Sequence, residues 1–353
     1  MPLQQSNQSE DRDQSVSKSQ QKLGGDNTSS NWALLAGLRF ALAIDVLCGH
    51  MSLLFYGQHS WTYFGPWMYQ ESAVFGFFVV SGYSIAASIE RSRSGYIRRR
   101  FLRIYPLYLV SIVVALIAAL CLSKGYHFPM FPTGAPLPNT STSDVAGSLV
   151  MLQLFVTRVI PLDGPTWSLG CEWWLYILAL LFVKTKSRFL GLISLFSFAA
   201  FLGYQWHYGQ GFEHGSNGRA FVSLAWLWIS GFIYYRWRGT IKGFMLLLIP
   251  TAVATGLGFF TGLPLILTLL VVLFNERTVF PAVANRVLNW LGDVSYPMYL
   301  CHFALITVLF SLDLRSPVLL IAVVIVFSSL LLAVVDYPIR SMRYDPRKFQ
   351  NAR

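Results

Sequence analysis

The stretch Trp32-Ala-Leu-Leu-Ala-Gly-Leu-Arg39-Phe-Ala-Leu-Ala-Ile-Asp45-Val-Leu-Cys-Gly-His50-Met-Ser-Leu-Leu-Phe-Tyr56 decides the fold. It is apolar over a length that crosses a bilayer, for which about 20 residues suffice. Two ionisable groups lie inside it. Arg39 and His50 are eleven residues apart, which at about 100° per residue leaves them only about 20° out of line and about 16 Å apart along the axis. Ionisable side chains at membrane depth are costly and face protein or a water-filled cavity. The spacing therefore predicts a polar track running into the bilayer, with a fixed cation at one end and a titratable base at the other.

The rest of the chain extends this reading. Of 353 residues, 54% are hydrophobic and only 12% charged, and the mean hydropathy is +0.51; soluble domains carry about 25% charged residues. The apolar runs lack the period-two alternation of a membrane barrel, leaving an all-α polytopic membrane protein. Ten spans are expected, at about 32–56, 66–90, 106–123, 166–184, 188–206, 219–236, 242–258, 262–275, 288–311 and 317–336. The apolar segment 144–160 is a candidate eleventh.

Charge decides between the two topologies. With ten spans the termini share a side, and that side holds most of the 27 Lys and Arg. The opposite side receives Lys124, Arg158, Arg219 and Arg315. An eleventh crossing would invert everything after it, so the positive-inside bias predicts cytoplasmic termini and makes 144–160 a re-entrant or interfacial piece. This distribution also excludes a nucleic-acid reading of the +11 net charge, because the basic residues lie between apolar segments. The division expected is a disordered polar tail at 1–31, a membrane domain at 32–340 and a basic cytoplasmic tail at 341–353. Residues 1–31 carry no cleavable signal pattern. The four cysteines lie in or beside apolar segments and read as small core residues, not a disulfide framework.

With this topology His50 falls in the outer half of the membrane. The fourth span enters from outside as Pro165-Thr-Trp-Ser-Leu-Gly-Cys-Glu172-Trp-Trp-Leu-Tyr176, which puts Glu172 one or two turns in, at a depth similar to His50. A carboxylate beside an imidazole orients it and suits it to act as a general base; the alternative is a buried pair that only fixes helix packing. The loop Arg91-Ser-Arg-Ser-Gly-Tyr-Ile-Arg98-Arg-Arg100-Phe-Leu-Arg103-Ile-Tyr-Pro106 reads either as an anchor on anionic lipid or as a clamp in which Arg100 and Arg103, with Arg98 beside them, hold the phosphates of a ligand. In the ninth span, His302 with Tyr296 and Tyr299 either lines a cavity or is a packed, hydrogen-bonded histidine. Glu71 at the outer end of the second span, with Trp167 and Ser168 at the start of the fourth, completes the candidate lining. His207, Glu213 and His214 match no strong metal-ligand spacing, and no metal is expected.

Five motifs in order resemble the acyltransferase family 3 membrane proteins: Arg39-x10-His50, Phe77-Phe-Val-Val-Ser-Gly82, Arg100-x-x-Arg103-Ile-x-Pro106, Trp167-Ser-Leu-x-x-Glu172-x-x-x-Tyr176 and Ser295-Tyr-x-x-Tyr-Leu-x-His302. These are integral-membrane O-acyltransferases that acetylate O-antigens, Nod factors and other glycans. The resemblance covers residues 32–340. It implies a multi-pass enzyme of the bacterial plasma membrane that takes an acyl group, acetyl by default, from cytoplasmic acyl-CoA as co-substrate, with no permanently bound cofactor. It also implies a carbohydrate or lipid-linked saccharide acceptor and functional roles for Arg39, His50, Arg100, Arg103 and Glu172. On this reading His50 is the base and Glu172 its orienting partner, with an acyl-histidine intermediate as the second route. Asp45 departs from the pattern, since many members are apolar there, and no soluble domain follows the last span. The rival class is a transporter or polysaccharide-export component. It would need Gly/Pro-broken helices in matched halves, which the sequence does not clearly show.

Overall fold

The computed structural model describes residues 31–55, 70–122, 139–208, 217–257 and 262–343. The polar tail at 1–30, Glu213, His214 and the basic tail from 344 lie outside the described residues. Among those described the chain is helical, without a named strand. The helices are α1 (Trp32–Leu54), α2 (Gln70–Arg91), α3 (Tyr96–Cys121), α4 (Thr142–Leu149), α5 (Thr166–Phe182), α6 (Ser187–Tyr208), α7 (Arg219–Arg236), α8 (Ile241–Gly256), α9 (Leu263–Phe274), α10 (Ala282–Ser311), α11 (Pro317–Leu331) and α12 (Tyr337–Arg343). A π-helical turn, Leu332–Asp336, joins α11 to α12.

Each of the ten expected spans is occupied by a helix. Among the described residues six are long and apolar enough to cross a membrane: α1, α2, α3, α6, α10 and Pro317–Arg340; α5 and α8 are shorter apolar helices. The six include neither α7 nor α9. Helix α7 is enclosed by protein, with Trp226, Trp228, Phe232 and Ile233 almost fully buried. Its Trp, Tyr and Ser content answers to helix neighbours instead of lipid.

The packing core is two tight pairings, α1 on α10 and α2 on α7. Small residues permit both, as is usual where helices meet in lipid. A Cβ on Gly82 would fall 1.9 Å from the Trp228 carbonyl oxygen, and one on Gly231 would fall 2.1 Å from that of Val79, so α2 and α7 touch backbone to backbone. A Cβ on Gly292 would meet the Ala36 side chain at 2.5 Å, the same close approach between α10 and α1. The Asn31 side chain caps α1 by accepting from Leu34 N–H at 3.0 Å and donates to the Thr278 carbonyl at 2.7 Å. Arg340 forks onto Asp293 with two 2.8 Å bonds and also pairs with Asp336, fastening the end of the chain's last long helix to α10.

One boundary differs from expectation. Helix α3 starts at Tyr96, about ten residues earlier than predicted, and runs through Pro106. The arginine-rich segment is therefore helix, which fixes Arg100 and Arg103 on one face. The segment 144–160 makes no crossing: α4 has 8 residues, capped by a reciprocal Ser141–Asp144 box, and irregular chain follows. Met151 and Leu154 in that chain hold positive φ of 56° and 72°, and the Met151 carbonyl accepts from Trp174 Nε1 at 2.9 Å.

Candidate active site

The irregular segment sinks into the bundle before α5 begins. Leu162 and Asp163 are 1% exposed and Gln153 is fully buried. Some of its polar groups find partners inside the protein, whereas Gln153 Oε1 and Asp163 Oδ1 are buried without one. Gln153 Nε2 donates to Tyr108 Oη at 3.0 Å and the Thr166 carbonyl at 3.3 Å, while Tyr108 donates to the Ser148 carbonyl at 2.7 Å. Burial pushes the Asp163 carboxyl well above the usual carboxylate range, against hydrogen bonds from Ser111 and Thr166 that lower it. A neutral acid fits this enclosure, where an ion would be costly.

Because the native carboxyl titrates above its unfolded value of 3.8, its contribution to stability is complete below that value and is lost as pH rises through the native pKa. Purified wild-type protein is therefore expected to melt at progressively lower temperature toward alkaline pH. Asp163→Asn, which mimics the protonated acid, should flatten that fall. Equal pH dependence in the two proteins would refute the neutral assignment.

The sunken segment sets the depth of α5. Pro165, just before the helix, accepts from Tyr299 Oη at 3.1 Å in the interior, and Ser168 Oγ lies 2.6 Å from the same hydroxyl. Glu172, two turns further, lines a cavity together with Arg39, whereas His50 does not. It is therefore not the cavity neighbour of His50 that the sequence predicts. Its Oε2 accepts from Tyr176 Oη at 2.8 Å. Tyr176 Oη also meets Ser81 Oγ at 2.9 Å, and Ser81 accepts from Trp228 Nε1 at 3.1 Å. The Ser-Gly of the Phe-Phe-Val-Val-Ser-Gly motif thus serves two ends: Ser81 joins the Glu172 network and Gly82 admits α7.

Helices α1, α2, α3, α5 and α10 enclose a cavity of about 930 Å³ including its mouth, lined among others by Arg39, Arg100, Arg103, Glu172, Tyr176, Ser168 and Tyr299. Arg39 Nη2 donates to Ser84 Oγ at 3.4 Å. Arg100 is half-buried over the Tyr96 ring at 5.7 Å, and its Nε is buried without a hydrogen-bond partner. Arg103 is exposed at the mouth. Tyr296 ties α10 to α3 by donating to the Ile104 carbonyl at 2.9 Å. Three guanidinium groups and one carboxylate give the lining an excess of positive charge, and a bidentate donor set suited to phosphate.

His50 lies beyond this cavity, half-buried on the same helix as Arg39. Its partner is His302, from α10. His302 Nε2 is 3.2 Å from His50 Nδ1, and the ring centroids are 5.0 Å apart. His50 Nδ1 also lies 2.9 Å from the Val46 carbonyl. Among the described residues no hydrogen bond joins His50 to Glu172. Between the cavity and the histidines stands Tyr299, bonded to Ser168, in edge contact with Phe77 at 5.3 Å and with its ring 6.1 Å from that of His302.

The remaining candidates separate cleanly. Ser168 and Tyr299 line the cavity; Trp167, Glu71 and His302 do not. Arg98 is exposed and also outside the lining, contrary to its expected place in the clamp. Its neighbour Arg99 turns back onto the Ser92 and Ser94 carbonyls. Asp45 is buried and does not line the cavity. Tyr296, named from the sequence together with Tyr299, is also in the lining; sequence reasoning missed Ser81 and Ser84. The four cysteines are free, and the described residues hold no group of His, Cys, Asp and Glu able to take a metal.

This arrangement belongs to a known class of membrane protein. The chain is a member of acyltransferase family 3: residues 33–336 match that family's acyltransferase domain. Acyltransferase MdmB of Streptomyces mycarofaciens is 33% identical over 111 residues, which is 30% of this chain and 26% of that protein. The match thus spans about a quarter of that relative's length. No solved structure matches the chain.

Proposed function

We propose that this protein is a membrane O-acyltransferase that moves an acyl group, acetyl in the simplest case, from cytoplasmic acyl-CoA to a hydroxyl of a cell-surface saccharide or its lipid-linked precursor. In this reading all ten expected spans cross the plasma membrane, both termini are cytoplasmic, and the cavity mouth at Arg103 faces the cytoplasm. The observation that carries it is the division of labour along α1: Arg39 joins an arginine-rich cavity at one end and His50 joins a histidine pair at the other. The unpartnered Nε of Arg100 supports a ligand with further acceptors to offer, as a phosphate has. Family membership and the relative's name support acyl transfer as the chemistry.

Coenzyme A is long, flexible and phosphate-bearing. Its phosphates would lie on Arg100 and Arg103 and its arm would pass Arg39 toward His50. Tyr299 stands in that path, so transfer requires its side chain to swing from Ser168. The acceptor oxygen then attacks the thioester carbonyl while its proton passes to His50 Nε2. The O–C bond forms, the C–S bond breaks, and the proton leaves on the thiol of free coenzyme A. General-base action of this kind is worth about 10²–10⁴-fold. Glu172 would offset the three guanidinium charges and hold Tyr176 and Ser81 at the cavity wall.

The test uses purified protein in vesicles, given acetyl-CoA labelled in the acetyl group together with a glycolipid extract of the native membrane. Free thiol should appear in step with label in the extract. Absence of both, from folded protein, would overturn the reading and favour a transport or export role.

A further inference from the structure

The hydrogen bonds around the two histidines fix where their protons sit. His302 is fully buried, and its Nδ1 faces two carbonyl oxygens, Tyr299 at 2.9 Å and Met298 at 3.1 Å. Carbonyls only accept, so the His302 proton is on Nδ1 and its Nε2 presents a bare lone pair. The same argument applies to His50. Its Nδ1 faces the Val46 carbonyl, which puts the proton there. That N–H is shared between Val46 O and His302 Nε2. His50 Nε2 is left with its lone pair, and no hydrogen bond among the described residues uses it.

From this geometry we infer that His302 is the positioning residue of His50, holding it in the tautomer whose Nε2 is the base and accepting from its Nδ1–H when the ring becomes an imidazolium. It takes the place a carboxylate fills in a hydrolase triad, but as a neutral acceptor, which suits a site enclosed by apolar side chains such as Phe303, 5.0 Å from the His50 ring. His302 does not pass the proton on, because its own Nδ1–H is committed to two carbonyls. The inference rests on the acyl-transfer reading for its kinetic consequence, whereas the tautomers stand apart from any reaction.

Two measurements separate these. The chain has only 6 histidines, so ¹⁵N-histidine magic-angle-spinning spectra of the protein in lipid can be assigned with single variants. Both His50 and His302 should be neutral and protonated at Nδ1. Activity is then compared for His302→Leu and His302→Gln, the latter placing an amide oxygen near the position of Nε2. The leucine variant should lose about 10- to 100-fold in kcat, the usual cost of removing a group that orients a reactive one. Its KM for acetyl-CoA should stay within about twofold of wild type, because the arginine cavity is untouched. The glutamine variant should recover most of the loss, and the His50 tautomer with it. A packing role predicts instead that leucine and glutamine fail alike, or that leucine is the better tolerated. An Nε2-protonated His302 in the wild-type spectrum would overturn the inference even if the leucine variant does not accumulate. Absence of turnover in the wild type, with both rings protonated at Nδ1, would overturn the proposed reaction and leave the pair intact.

Discussion

His50→Ala is expected to remove detectable acyl transfer while the protein still accumulates in the membrane. Losing a general base costs about 10²–10⁴-fold, which takes a modest transferase below the detection limit of a label-transfer assay. The fold should survive for a physical reason. His50 is only half-buried, and its removal leaves one buried acceptor, His302 Nε2, short of a partner. Leaving one neutral polar group short of a partner costs about 1–3 kcal/mol, within the margin of a typical native protein. Immunoblots of washed membranes fix the amount of protein, and label transferred per unit protein fixes the rate. A wild-type rate in this variant would remove His50 from the chemistry. Equal loss in amount and activity would mean that the ring serves packing alone.

The second large effect is expected at the cavity mouth, and it should appear in the other kinetic parameter. Arg100→Ala and Arg103→Ala should each raise KM for acetyl-CoA about 10- to 100-fold, with kcat changed little. A charge-assisted hydrogen bond is worth about 1.5–3 kcal/mol, and an interaction made equally with bound substrate and transition state appears in KM alone. Neither arginine has a carboxylate partner in an ion pair among the described residues. Removal therefore relieves repulsion among like charges and breaks no direct ion pair. Lysine replacements keep the charge but lose the planar fork, so an intermediate KM is expected. If the arginines only contact anionic lipid, KM will not move in any of the four variants. Initial rates against acetyl-CoA concentration, at fixed acceptor, decide it.

Much of this arrangement was legible in the chain. The helix positions follow from apolar run length. The register of Arg39 and His50 on α1, and the one-turn separation of Arg100 and Arg103, follow from helical geometry. The place of Glu172 was not legible. Counting its depth from Pro165 assumes that the segment before α5 lies at the surface, whereas Gln153, Leu162 and Asp163 in it are buried in the protein. A signal existed in the polar residues Gln153, Asp163 and Thr166, which an interfacial loop could leave in water but a sunken one must pair. The His50–His302 contact was illegible for a different reason. It depends on which helices are neighbours, and a single sequence does not state that. Gly292 and Ala36, small residues at the α1–α10 crossing, hint at the pairing without identifying it. Arg98 shows the limit of reading charge alone: once the segment is helical, adjacent arginines point to different sides.

The rigid α1 helix acts as a ruler. Arg39 and His50 are held about 16 Å apart by an unbroken helix, so any donor gripped at the arginines must be long enough to present its reactive carbon at the far mark. An acyl phosphate, however reactive, is too short to touch both ends at once. In the proposed reaction, molecular length thus becomes a criterion of donor selection, set by the scaffold before any chemistry begins.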